Sequence, residues 1–143
     1  MAQKLFVRRR DGRIEVRLNE DGRAFVADVF SNVLAAERDP DHRWHISLNG
    51  PIDPSQDADN PLSILSRQSE TSTNAELAMM TVADEFLNES EAWTWLTTLQ
   101  VAMRSTVQSY GLLDEEKLRE APPEVKSYLE NLQLLLFQLA ESF

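Results

Sequence analysis

The stretch from Ser90 to Tyr110, SEAWTWLTTLQVAMRSTVQSY, predicts a long amphipathic helix around which a small helical domain is built. Its apolar residues recur in steps of three and four, as at Leu96 and Leu99, which places them on one helical face. At roughly 100° per residue, Trp93 and Trp95 point about 200° apart, so one ring is expected in the core and the other at a second neighbour or a partner. We place Trp95 on the surface, in a candidate interaction patch with the apolar flank of the last helix.

The length and composition indicate one ordinary globular domain. A chain of 143 residues can bury roughly two thirds of its unfolded surface. The absence of cysteine excludes disulfides, thiolate nucleophiles and thiolate metal sites. The N-terminal sequence MAQKLFVRRR lacks the apolar run of a signal peptide, and no stretch approaches the ~20 apolar residues that cross a bilayer. We therefore expect a cytoplasmic protein with no membrane contact.

The charge is distributed unevenly along the chain. Residues 1–23 hold seven Lys or Arg against four Asp or Glu, a net charge of +3. The remaining residues hold seven against twenty, a net charge of −13, and the whole chain carries −10. A net charge of −10 argues against a protein whose surface as a whole binds nucleic acid. Any surface that binds anions is therefore expected at the N-terminus.

The segment from Lys4 to Leu18, KLFVRRRDGRIEVRL, predicts a β-hairpin. Asp11-Gly12 lies between two alternating segments and is typical of a two-residue type I′ turn, which needs positive φ twice. Pairing outward from such a turn places Phe6 opposite Arg17, Arg8 opposite Glu15 and Val7 opposite Val16. The face expected on the helices carries Leu5, Val7, Ile14, Val16 and Leu18, with Arg9 as its one polar residue.

The opposite face of this predicted hairpin is the main candidate interaction surface. It carries one carboxylate, Glu15, and five residues that we select as candidates: Phe6, Arg8, Arg10, Arg13 and Arg17. Such a face can grip phosphates or read a DNA groove as a β-ribbon, and it can equally bind acidic protein. It is also consistent with a solvated face on which Arg8 pairs with Glu15 and Arg17 stacks on Phe6. The residues alone leave these alternatives open.

The other segments predict helices separated by one long loop. Asn19 is expected to cap a helix over 19–37, and residues 38–72 form an irregular loop with a short helix over Leu62–Arg67. Thr73-Asn-Ala-Glu76 is a capping box that opens a helix through about Leu87. Pro122-Pro123 starts the last helix, which is too apolar for one stripe and is either buried on two sides or a homodimer contact. The fold class is mainly α: one domain, 1–143, with an N-terminal hairpin (1–18) packed on about four helices and a helical core over 73–143.

No residue pattern indicates catalysis. His42 and His45 form an HxxH sequence, but only Asp39 and Asp41 lie nearby as further metal ligands. The aspartates at 53, 57 and 59 do not have the spacing of a calcium-binding EF-hand loop. There is no glycine-rich phosphate loop and no paired nucleophile. We predict no cofactor, no metal and no enzymatic activity.

Four segments resemble a known family. The opening FVRRRDGRIEVRL, Asn60-Pro61-Leu62, WTWLTTLQVAMRSTVQSYGLLDEE and YLENLQLLLFQLAESF are similar to an actinobacterial domain-of-unknown-function family that includes AosR-type oxidative-stress transcriptional regulators. The resemblance implies a non-enzymatic cytoplasmic regulator that affects transcription through a sigma factor or another regulator, with DNA contact through the hairpin left open. A thiol switch is not carried over, because this chain has no cysteine. The alternative function is a homodimeric adaptor or scaffold with no role at DNA.

Overall fold

The computed structural model describes residues 4–39, 41–42, 73–109 and 115–143. In these ranges the chain is mostly helical, with a small antiparallel sheet against the helices, which confirms the predicted fold class. The predicted short helix over 62–67, His45 of the HxxH sequence and the aspartates at 53, 57 and 59 lie outside the described residues. The elements are β1 (Phe6–Arg8), β2 (Ile14–Val16), α1 (Glu20–Arg38), α2 (helical over 73–80), β3 (Phe86–Leu87), α3 (Glu89–Ser109), α4 (Glu115–Glu120) and α5 (Pro123–Glu141).

The first helix forms as predicted. The side chain of Asn19 accepts a hydrogen bond from the N–H of Gly22 at 2.8 Å, and so satisfies one of the first free donors of α1. The buried face of α1 includes Val26, Val29 and Phe30, which recur at helical spacing. None of the described helices is long and apolar enough to cross a membrane.

The hairpin turn is one residue longer than predicted. The N–H of Arg9 donates to the oxygen of Arg13 at 2.8 Å, and the N–H of Gly12 donates to the oxygen of Arg9 at 3.0 Å. Gly12 has a φ of 90°, and no other described residue has a positive φ. A type I′ turn would need a positive φ at Asp11 as well, so the chain forms a three-residue loop over 10–12 instead. The predicted two-residue turn is therefore wrong.

The longer loop shifts the strand register by one residue. Phe6 pairs with Val16, Val7 with Glu15 and Arg8 with Ile14. Because side chains alternate along a strand, a slip of one residue exchanges the two faces of β1. Phe6 is thus buried against the helices at 3% exposure, which contradicts its predicted place on the interaction surface.

A third strand replaces the end of the predicted second helix. The helix ends at residue 80, and Phe86–Leu87 pairs with β2 to give the sheet order β1-β2-β3. The helical prediction through Leu87 is wrong because pairing of Leu87 with Ile14 overrides the local apolar pattern, and both side chains are fully buried there.

Trp95, predicted on the surface, is fully buried. Its ring packs edge-to-face on Phe30 of α1 at 5.3 Å and on Phe6 of β1 at 6.2 Å between centroids. Its indole N–H donates to the hydroxyl of Thr81 at 2.8 Å. The buried face of α3 is wider than the apolar stripe, since Thr98 is also buried and donates its hydroxyl to a main-chain oxygen of the preceding turn. Trp95 lies on this wider face, and Trp93 is the exposed tryptophan, at 59%.

The last helix has one face in the core and a second apolar flank in solvent. Leu132, Leu135 and Leu139 are buried, whereas Leu134 and Phe137 are 48% and 62% exposed. The sequence allowed two explanations for the many apolar residues of this helix, burial on two sides or a homodimer contact. Within the described residues the helix is buried on one side only, because Leu134 and Phe137 are exposed.

We expect the two tryptophans to differ in their contribution to stability. Trp95→Ala should lower the free energy of unfolding by about 3–5 kcal/mol, because it removes a buried ring and leaves a cavity. Trp93→Ala is the matched control and should change it by less than about 1 kcal/mol. Urea unfolding followed by far-ultraviolet circular dichroism measures both. Equal losses in the two variants would contradict the assignment of Trp95 to the core.

Candidate functional site

The sheet face that points away from the helices carries a small arginine cluster, which we call the arginine face: Arg9, Arg13, Arg17 and Glu15. The carboxylate of Glu15 lies 2.6 Å from the guanidinium of Arg9 and 2.9 Å from that of Arg17. The Glu15 side chain is 15% exposed, whereas both arginines are about half exposed. Arg13 and Arg17 lie on this face as predicted. Arg8 was also predicted here, but the shifted register places Arg9 on this face instead.

Arg13 is held by its neighbours on two sides. Its Nε donates to one oxygen of Asp11 at 2.7 Å, and its main-chain N–H donates to the other at 3.0 Å. Its guanidinium lies 4.5 Å from the centre of the Phe86 ring, a cation–π distance. The alternative in which Arg17 stacks on Phe6 is wrong, because Phe6 is buried on the opposite face of the sheet. The aromatic partner on this face comes from strand β3, which was not predicted, and it contacts Arg13.

These contacts keep both hairpin carboxylates ionised. Hydrogen bonds from the side chains of Arg17 and Arg9 lower the pKa of Glu15 against the opposing effect of its desolvation. Hydrogen bonds from the main chain and side chain of Arg13 lower the pKa of Asp11. Two carboxylates thus neutralise much of the arginine face at neutral pH, so an external anion must compete with Glu15 and Asp11 for the guanidinium groups.

Arg10 is different from these three arginines. It lies in the loop over 10–12, is exposed, and has no ion pair within the part of the chain that the structure describes. Among the hairpin arginines, Arg10 is thus the one best placed to meet an external anion.

Arg8 belongs to a second surface, which we call the Trp93 patch: Arg8, Trp93 and Phe143. The rings of Trp93 and Phe143 meet edge-to-face at 5.9 Å. The guanidinium of Arg8 donates to the main-chain oxygen of Phe143 at 3.0 Å and lies 3.8 Å from the carboxylate of Glu89. The predicted pair between Arg8 and Glu15 does not form, because the shifted register places Arg8 opposite Ile14.

A cleft of about 460 Å³ adjoins the Trp93 patch. It lies between β1 and the end of α5, and its lining includes Lys4, Val7 and Gln138 as well as Arg8 and Phe143. An exposed aromatic pair, a guanidinium and a cleft are therefore contiguous at this end of the molecule.

Sequence reasoning missed Trp93 and Phe143 as site residues. One signal was available, since the two tryptophans of α3 must face different surroundings at their spacing. The burial of Trp95 could not be predicted in this way. The buried face of α3 includes threonines, and because these residues are polar, an apolar pattern does not show how wide that face is. Phe143 meets Trp93 only through the packing of α5 on α3.

The described residues contain no group of three or more His, Cys, Asp or Glu that converges as a metal site. His42 lies just after α1 and His45 lies outside the described ranges, so the prediction that the HxxH sequence binds no metal stays a prediction. The predicted absence of a catalytic site and of a cofactor stays a prediction.

A comparison with protein-family models returned no match, and neither did comparisons with curated proteins or with solved structures.

The ion pairs of Glu15 predict how stability depends on pH. Because the pKa of Glu15 is lower in the folded protein than its ordinary value of 4.5, the pairs stabilise the fold above that value and lose their effect as the pH falls through the folded pKa. Glu15→Gln should therefore be less stable than the wild type at neutral pH and equally stable in acid. Urea unfolding over a pH series measures this difference. Glu85→Gln is the control, since Glu85 is exposed and has no ion pair among the described residues. A difference for Glu15→Gln that is constant with pH would contradict the assignment.

Proposed function

We propose that this chain is a non-enzymatic cytoplasmic regulator that acts by binding a partner protein at the Trp93 patch. The observation that carries the proposal is the exposure of Trp93, at 59%, beside Phe143 and Arg8. Tryptophan and arginine are the residue types most enriched among those that dominate binding energy at protein interfaces. A large exposed ring with a guanidinium at its side is a suitable anchor for a partner.

The rigidity of the Trp93 patch also supports binding. Trp93 lies on the 21-residue helix α3, whose other face is the core, so its main chain is fixed before a partner arrives. Its ring is already oriented by Phe143, and Arg8 by its bond to the main-chain oxygen of Phe143. A preorganised surface loses less conformational entropy on binding than a mobile one.

The charge pattern favours protein over DNA as the partner. Glu15 and Asp11 already occupy three of the hairpin guanidinium groups, and Glu89 lies 3.8 Å from a fourth. The chain as a whole carries −10, which repels a phosphate backbone. A protein partner can bind the exposed rings of Trp93 and Phe143 without displacing Glu15 or Asp11 from the arginines, and it need not be an anion.

The family resemblance suggests which partner to test first. It implies a regulator of transcription that acts through a sigma factor or another regulator, and we propose that a sigma factor binds the Trp93 patch. The signal that would control such binding is not a thiol switch in this chain, since it has no cysteine.

Binding to purified actinobacterial sigma factors tests the proposal, by isothermal titration calorimetry with the wild type and Trp93→Ala. We expect Trp93→Ala to weaken binding by about 30-fold or more, equivalent to ~2 kcal/mol, as for an anchor residue. Met80→Ala is the matched control, because Met80 is 77% exposed on a different helix. Equal affinities of Trp93→Ala and the wild type would contradict the Trp93 patch, and the absence of binding to any sigma factor would contradict this choice of partner.

DNA contact through the hairpin is the second candidate, favoured by the exposed Arg10. Fluorescence anisotropy on DNA from the upstream region of the gene, against a scrambled sequence, tests it over a salt series. A DNA-binding hairpin would show sequence-specific binding that weakens with salt and is lost when Arg9, Arg10, Arg13 and Arg17 are all changed to Ala. On the argument from charge we expect no specific binding, and specific binding that this variant loses would overturn that expectation.

A further inference from the structure

The outward side of α5, opposite its core residues, carries a stripe in which two exposed apolar residues lie among charged and polar ones. At about 100° per residue, the stripe fills roughly a 100° arc centred about 180° from Leu132, Leu135 and Leu139. Leu134 and Phe137 form its middle, at 48% and 62% exposure, and line a shallow groove of about 370 Å³ with Glu130 and Gln133. We call this surface the outer stripe: Lys126, Glu130, Gln133, Leu134, Phe137 and Glu141.

We propose that the outer stripe binds the same stripe of a second copy of this chain, with the two α5 helices antiparallel. In a two-fold arrangement centred between Gln133 and Leu134, each position faces its counterpart at the other end of the stripe. Position 126 faces 141, 130 faces 137 and 133 faces 134. The charged residues Lys126 and Glu141 then meet twice, once at each end of the interface.

The charge order of the outer stripe selects this arrangement. Antiparallel helices bring the Lys126 ammonium of one copy beside the Glu141 carboxylate of the other. Parallel helices would instead place Lys126 against Lys126 and Glu141 against Glu141, and both contacts are repulsive. Within one copy, Lys126 uses one of its three donors on the main-chain oxygen of Arg119 at 2.8 Å, which leaves two for a carboxylate.

The apolar residues lie where such a dimer buries them most completely. Leu134 is next to the two-fold axis, so the two copies of this side chain meet at the centre of the contact. Phe137 is one turn further out, where it faces Glu130 of the second copy and touches the neighbouring Gln133 and Leu134. The charged pairs close the ends of a contact about 22 Å long, at 1.5 Å per residue, which is the usual order of apolar centre and polar rim.

The net charge of the chain opposes association. Two copies that each carry −10 repel one another at long range. At physiological ionic strength the Debye length is about 8 Å, so this repulsion is largely screened while the contacting pairs are not. One pair of helices buries a modest area, and we therefore infer a dimer that forms reversibly with concentration.

Analytical ultracentrifugation of the full chain, at physiological salt over a range of concentrations, tests the proposal. Lys126→Glu and Glu141→Lys should each weaken the dimer by about tenfold or more, because each places like charges at both ends. An equimolar mixture of the two variants should recover the wild-type affinity, since both end pairs are then of opposite charge. Both positions lie at the surface of α5, and circular dichroism verifies that the variants are folded.

A single introduced cysteine gives an independent measurement. The natural chain has none, so Leu134→Cys carries the only thiol, and it should form a disulfide-linked dimer readily under mild oxidation. Met80→Cys is the exposed control on another helix and should crosslink much more slowly. A chain that is monomeric at every concentration, a mixture that does not recover affinity, or equal crosslinking of the two cysteine variants would overturn the proposal. Glu141 also lines the cleft beside the Trp93 patch, so the results that are separate from the sigma-factor test are those for Lys126→Glu and Leu134→Cys.

Discussion

The buried side chain of Trp95 makes the contacts on which the packing of the other helices and strands depends. Its ring packs on Phe30 of α1 and Phe6 of β1, and its N–H donates to the hydroxyl of Thr81, the residue directly after α2. Four elements therefore share one side chain, and the polar end of that side chain is paired, so burying it leaves no unsatisfied donor. Since Phe6 must face Trp95, the inward face of β1 is set by the core as well as by the turn.

Arg23 of α1 connects the helix to the sheet at the edge of this core. Its guanidinium donates to the main-chain oxygens of Val82 and Asp84 at 3.0 Å and of Val16 at 3.2 Å. One side chain of α1 thus connects the turn before β3 with the end of β2 by hydrogen bonds to three main-chain oxygens. The inward position of Phe6 also determines where Arg8 lies, because Arg8 is two residues further along the same face of β1. Arg8 is therefore directed toward Phe143 and Glu89 and not toward the arginine face.

The elements with a local cause were predictable from the sequence, and those set by distant contacts were not. Helix α1 follows from Asn19 and its apolar period, and the hairpin follows from Asp11-Gly12 between alternating segments. The register does not follow, because a glycine at position 12 suits both a two-residue turn and a three-residue loop. A difference of one residue in the loop was enough to move Phe6 into the core. Strand β3 was not predictable for a related reason. Its two residues also continue a helical apolar pattern, and only their pairing with β2 shows that they form a strand and not the end of a helix.

The two proposed surfaces are compatible in one assembly. The Trp93 patch lies beyond the end of α5, at Phe143, whereas the exposed apolar residues of the outer stripe, Leu134 and Phe137, lie one to two turns earlier in the helix. Antiparallel pairing of two α5 helices points their C-terminal ends in opposite directions. The two Trp93 patches of a dimer then lie at opposite ends of the helix pair, separated by at least the ~22 Å that the stripe spans. A dimer of this kind presents two independent binding sites, and the second site raises affinity only for a partner that can reach both ends at once.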